Sequence, residues 1–248
     1  MRDKSVRADR LNVRGMTLSL PCRPVRRKSI FKFHAAMQDH RLKTWADRLE
    51  SIASRVLTGT PAMDPRPDPA RARAWIEGFA DEFGHRRAVD AAVLGRLVGL
   101  APPPMPSSSP DVELWWSLFG SEPIRYAPAG PLTEPNPEQA IELWSQVELA
   151  CLHAAWDAAI DRRDARLRER CLEATRWHVA ELQSDNATAH AWALHGFALL
   201  AHESGSAEAW IHAEMVLHAS LLGMGRPDRF SACLMLDAAR TLRRDLGR

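Results

Sequence analysis

The fold is decided by the stretch ATAHAWALHGFALLAHE at 187–203, followed at once by SAEAWIHAEMVLHASLLG at 206–223. Both runs are built from Ala, Leu, Glu and His, with no proline and no alternating Val/Ile/Thr pattern of the kind a strand requires. Apolar residues recur in both at helical spacing. Nearly every position of 187–203 is apolar, so this helix is expected to lie buried.

The same texture extends in both directions. Upstream, helices are predicted at 138–160 and at 164–183, where Leu167, Cys171, Ala174, His178 and Leu182 share a face. Downstream, a last helix is predicted at 228–246. The breaks are short: Arg162-Arg163, Ser184-Asp185-Asn186, Ser204-Gly205-Ser206 and Gly225-Arg226-Pro227-Asp228. Short connections make neighbouring helices antiparallel, so the last four are expected to form two hairpins repeating at about 42 residues. The expected fold is all-α, with antiparallel helical hairpins stacked as a bundle or as a short α-solenoid or α/α-toroid-like array.

The N-terminal part reads differently. Three further helices are predicted within 38–100. The first carries Trp45, Leu49, Ile52 and Val56 on one face, and the second follows an Asp68 cap with Pro69 at its first position. The second is expected to run on through Phe79 and Phe83 to Gly84, and the third covers about 86–100. Residues 101–137 hold ten of the seventeen prolines and form a predicted connector, with one short helix around Trp115 and Trp116. This segment is the expected domain boundary between 38–100 and 138–248, and a connector of that length can also serve as a lid. Residues 1–37 are expected to be a disordered basic extension. The first 43 residues carry twelve Lys/Arg against three Asp/Glu, leaving 21 against 28 for the rest. A nucleic-acid face on the folded part is therefore not expected, whereas the basic tail could contact anionic surfaces.

Hairpin units of this size resemble those of α-solenoids and of α/α-toroid enzymes. The likeness is carried by Trp177-His178 and by the run Asn186-Ala187-Thr188-Ala189-His190-Ala191-Trp192. It implies stacked helical pairs and assigns no functional residue, and the spacing does not match the 34-residue tetratricopeptide unit.

No apolar run is long enough to span a bilayer, and the four cysteines form no CxxC pair, which reads as a cytoplasmic protein with reduced thiols. There is no Gly-x-Ser-x-Gly, phosphate loop or dinucleotide fingerprint. Seven of the ten histidines fall between His153 and His218, which raises the question of whether they converge. Helical geometry puts Glu148, His178, His195, His202, Glu214, His218 and Asp237 on or beside apolar faces. Glu148, His178, Glu214 and His218 are the catalytic candidates, and His190, His195, His202, Asp185 and Asn186 the ligand-binding ones. No metal ligands are assigned, although a zinc or iron site built from these groups is the alternative to consider. His153 is placed on a solvated stripe with Glu142, Gln146 and Asp157. Each group also has a structural reading, as a helix cap or a satisfied core residue. The leading expectation is a scaffold or protein-binding module. The alternative is a small-molecule-binding protein or an enzyme whose Glu and His side chains meet within about 4–6 Å of one point.

Overall fold

The computed structural model describes residues 27–103, 109–121, 123–135, 138–181 and 188–247, with side chains from residue 37 onward. Among these residues there are nine α-helices and no strand. They are α1 (Arg27–Leu57), α2 (Pro69–Glu77), α3 (Asp90–Val98), α4 (Pro110–Ser117), α5 (Ile141–Asp161), α6 (Ala165–Glu181), α7 (Leu194–Ser204), α8 (Ala207–Leu222) and α9 (Arg229–Leu246). The chain is all-helical, and its helix contacts fit a bundle. The first and last helices of the series, α1 and α9, share the most extensive packing. An open solenoid, in which each unit touches only its sequence neighbours, does not bring its ends together in this way.

The caps follow the sequence closely. Asp68 accepts the Arg71 N–H at 2.8 Å and Asp228 the Ser231 N–H at 2.8 Å, while Ser206 accepts from Ala209 at 3.2 Å. Three boundaries differ from expectation, each for a tertiary or side-chain reason. α1 begins at Arg27 and so takes in residues 27–37 of the predicted extension, while residues 1–26 lie outside the described set. α2 stops at Glu77, because Asp81 gathers the N–H groups of Phe83 and His85 at 2.9 and 2.8 Å into a turn that competes with helix. Phe83, expected on the apolar face, is consequently exposed. α7 begins at Leu194 and not at 187, since Ala193 takes a left-handed conformation with φ of 53°.

One hydrophobic core runs through the whole bundle. It takes Leu42 and Leu49 from α1, Leu94 from α3, Trp115 from α4, Trp156 from α5 and Leu236 from α9, all fully buried. The predicted boundary at 101–137 therefore does not divide the packing. The described residues of that segment lie over the shared core, with Leu132 buried and the Trp115 indole donating to the Ala150 carbonyl at 3.1 Å. Arg170 is buried and donates to the carbonyls of Ala127, Gly130 and Pro131 at 2.7–2.9 Å. Those bonds tie the connector to α6. The closest helix approach is at Gly196, where a Cβ would sit 2.5 Å from the Trp156 indole nitrogen. Only glycine admits that ring between α5 and α7.

Candidate functional site

The histidine and glutamate candidates do not meet at one point. Glu148 and His178 do pair, with Nε2 and Oε1 3.1 Å apart and both side chains buried. Glu148 also accepts the Leu132 and Thr133 N–H groups, each at 2.7 Å, and the Thr133 hydroxyl at 2.6 Å. Every bond that reaches this carboxylate from outside the helices comes from the connector, so its evident work is to hold residues 132–133 down. His202 pairs with Asp39 at 2.9 Å near the surface, and Glu214 pairs with Arg48 at 2.6 Å in solvent. His218 sits on the exposed side of α8. Asp185 and Asn186 lie outside the described residues.

A different cluster forms in the core, where α3, α5, α7 and α9 meet. Arg96, His153, Asp157, His195 and Asp237 converge there, and the His and Asp side chains are completely or almost completely buried. Arg96 Nε lies 3.0 Å from Asp157 Oδ2 and 3.1 Å from Asp237 Oδ1, and its Nη1 donates to Asp161 at 2.6 Å. The Thr241 hydroxyl donates to Asp157 at 2.5 Å. His153 Nε2 is 3.4 Å from Asp237 Oδ2, and His195 Nε2 is 3.7 Å from Asp157 Oδ1.

The protonation states follow from the surroundings. Burial pushes the Asp157 carboxyl well above its ordinary range, and the neighbouring Asp237 charge adds to this against the pull of Arg96. Burial acts on Asp237 in the same sense, but Arg96 and the hydrogen bonds from His153 and Asp157 outweigh it and hold that carboxyl well below the usual range. The pair thus keeps one proton on Asp157 and one negative charge on Asp237, balanced by Arg96. Burial drives both histidines down, and His195 falls furthest because His153 and Arg96 also oppose its charge. Both imidazoles are neutral at neutral pH.

One hydrogen bond fixes the His153 tautomer. The Ala193 N–H donates to His153 Nδ1 at 3.2 Å, so that nitrogen keeps its lone pair and Nε2 carries the hydrogen. His153, Asp157 and His195 each place one donor atom within 4.8 Å of the others, a spacing a transition metal could span. A cation at His153 Nε2 would nevertheless have to strip that hydrogen, break the Ala193 bond and displace Arg96 from the carboxylates. The Ala193 bond and the Arg96 contacts thus oppose a metal centre, while both His195 ring nitrogens lack a hydrogen-bond partner among the described residues.

The sequence reading missed most of this cluster. It named His195 and Asp237 but put His153 and Asp157 on a solvated stripe, whereas both are fully buried. The stripe was drawn from Glu142 and Gln146 at the open end of α5. The legible signal was the run Cys151–Ile160, which is almost wholly apolar around His153 and Asp157 and leaves no solvated side.

A second polar group surrounds His190. Arg87 donates to His190 Nε2 at 3.1 Å and to Asp81 at 2.7 Å, and its guanidinium stacks 4.3 Å from the Phe230 ring centre. His190 Nδ1 faces Ser231 Oγ at 3.2 Å and Asp228 at 3.4 Å, and the Ser231 hydroxyl donates to Asp228 at 2.6 Å. Nearby, burial raises the Asp90 carboxyl to about 6. Serine, histidine and aspartate are all present, but the wiring is not that of a nucleophile. Arg87 occupies the His190 lone pair, and the serine proton already points at a carboxylate.

Two of the surface cavities bear on function. The larger, about 1260 Å³, lies beneath the connector between Glu113, Trp116, Tyr126, Thr133 and Cys151. Burial raises the Cys151 thiol well above its ordinary range, which keeps the thiol in its wall from acting as a thiolate nucleophile. The smaller, about 680 Å³, runs along the outer side of α8 between Arg41, Trp210, Ile211, Met215, His218 and Leu222. Arg41 stacks 4.3 Å above the Trp210 ring at one end.

Compared with known protein families, curated proteins and solved structures, the chain matches none.

Proposed function

We propose that this chain is a non-enzymatic helical interaction module that binds a protein partner along the outer face of α8. One observation carries the reading: α8 has apolar side chains on both sides, yet the described residues cover only one. Ala209, Trp210, Ala213, Val216 and Leu217 pack into the core, while Ile211 and Leu222 on the opposite side are 59% and 67% exposed. A surface helix of a self-sufficient domain has a polar outer face, and a helix that is apolar all round is one that gets buried. Apolar side chains on one stripe, flanked by the Arg48–Glu214 ion pair, are the layout of a helix-docking surface.

The enzymatic alternative draws less support, because the groups with chemical potential are sealed in the core or hydrogen-bonded to the connector. Among the described residues no helix is long and apolar enough to cross a membrane. Cys151, Cys171 and Cys233 are free and buried, which favours the cytoplasmic reading.

The test is a photo-crosslinking amino acid at Ile211 in cells that make the full chain, with exposed Arg73 on α2 as the control position. A discrete protein adduct from position 211 alone is the expected result. Equal labelling at both positions, or none at either, overturns the proposal.

A further inference from the structure

We infer that the occupant of the α8 face is a second copy of the same face, packed antiparallel. This rests on the reading of α8 as a docking surface and names the partner. The exposed stripe is Ala207, Ile211, Met215, His218 and Leu222, spaced four, four, three and four residues apart. It is close to a palindrome: an aliphatic side chain at each end, with Met215 and His218 between. Ile211 and Leu222 stand eleven residues apart, or about 16 Å along the helix. Turning one copy end for end therefore seats Ile211 on the partner's Leu222 and Met215 on the partner's His218, as a two-fold interface requires.

The charges at the rim agree with the same register. Glu208 lies beside the stripe at the start of α8, and Arg226 lies just past its end; both are exposed. In the antiparallel register each Glu208 falls next to the partner's Arg226, which gives two opposite-charge contacts per dimer. A parallel pairing would instead set Glu208 against the partner's Glu208 and Arg226 against the partner's Arg226. Arg226 now reaches Glu82 at 2.9 Å and the Pro227 carbonyl at 3.3 Å, and would exchange these for the partner's Glu208. The Arg41 guanidinium, held over Trp210, stands at the level where the carbonyl end of the partner's α8 would arrive, and a cation is favourable there. The stripe offers five side chains per copy against roughly 20–30 residues a side in a standard interface, so the dimer is expected to be reversible, with a Kd of about micromolar order.

Sedimentation equilibrium of the purified full chain across that concentration range is the experiment. The mass is expected to rise from one chain to two, with I211E and L222E each weakening association at least tenfold. E208R alone should weaken it severalfold, and R226E added to E208R should restore most of the loss. A chain that stays monomeric at every concentration, or an E208R loss that R226E leaves in place, overturns the antiparallel pairing. A photo-crosslinker at Ile211 in the same purified protein separates this from failure of the docking reading. An adduct between chains at Leu222 supports the pairing. An adduct from Ile211 to its own chain sinks both readings, because the groove is then self-covered. A monomer with no adduct sinks the pairing alone and leaves the in-cell partner test intact.

Discussion

The two most informative regions of the molecule invert the usual arrangement. Where α3, α5, α7 and α9 meet, an arginine, two aspartates and two histidines are buried; on the outer side of α8, isoleucine, methionine and leucine face water. The first region is tolerated because its charges cancel, with Arg96 balancing Asp237, a proton held on Asp157 and the imidazoles neutral. The second has no such compensation among the described residues. A buried polar cluster whose charges cancel needs no outside counter-charge, although both His195 ring nitrogens lack a hydrogen-bond partner among the described residues, whereas an apolar face left open marks unfinished assembly. This contrast is why the function is sought on α8 and not in the histidine-rich core.

The contrast can be broken first at Arg96. Replacing it with methionine leaves the Asp157–Asp237 pair without its cation. Breaking a buried ionic network in this way costs about 3–5 kcal/mol, to be read by urea denaturation. A loss below 1 kcal/mol would mean that the cluster is not the internally balanced unit described here. Next comes Gly196→Ala, whose methyl group collides with the Trp156 indole. Overpacking of this kind costs about 1–3 kcal/mol, visible as a lower Tm, unless α7 can move away from α5.

A smaller and sharper effect is expected at His195. Its buried imidazole stays neutral while the unfolded chain takes up a proton near the ordinary value of 6.5. Stability from this group is intact above that pH and falls as pH drops below it, towards the depressed folded value. Asp157 and Asp90, whose carboxyls are raised, push the other way over part of the same range, so the wild-type curve alone is not diagnostic. The diagnostic quantity is the difference between His195→Leu and wild type. It should shift in favour of the variant as pH falls below 6.5, with a slope of at most about 1.4 kcal/mol per pH unit. A pH-independent difference would show that His195 is already charged in the folded protein. The smallest effect belongs to α8: Ile211→Glu should change monomer stability by no more than about 0.5 kcal/mol, because the residue touches little of its own chain. A drop of several kcal/mol in monomer stability would place Ile211 in the core and remove the docking surface.

Helical spacing and cap residues were legible from residue to residue. Asp68 caps the helix that the sequence assigns to it, and Ser206 and Asp228, placed at breaks by the sequence, cap the helices that follow. The early end of α2 and the late start of α7 were not, because Asp81 and the Ala193–His153 bond act through contacts that no periodicity records. Of the core cluster, His195 and Asp237 were named in advance, while His153 and Asp157 were assigned to water.

The sequence by itself determined that this chain is helical, where most of its helices begin, and which side chains could carry charge into an apolar setting. Those properties depend on neighbours within a turn or two. Only the tertiary structure decided that Glu148 serves the connector, that Arg96 arrives from α3 to neutralise aspartates on α5 and α9, and that one apolar side of α8 is left uncovered. Each of these depends on which helix packs against which face, and a single helix's pattern, repeating every 3.6 residues, does not name its partner.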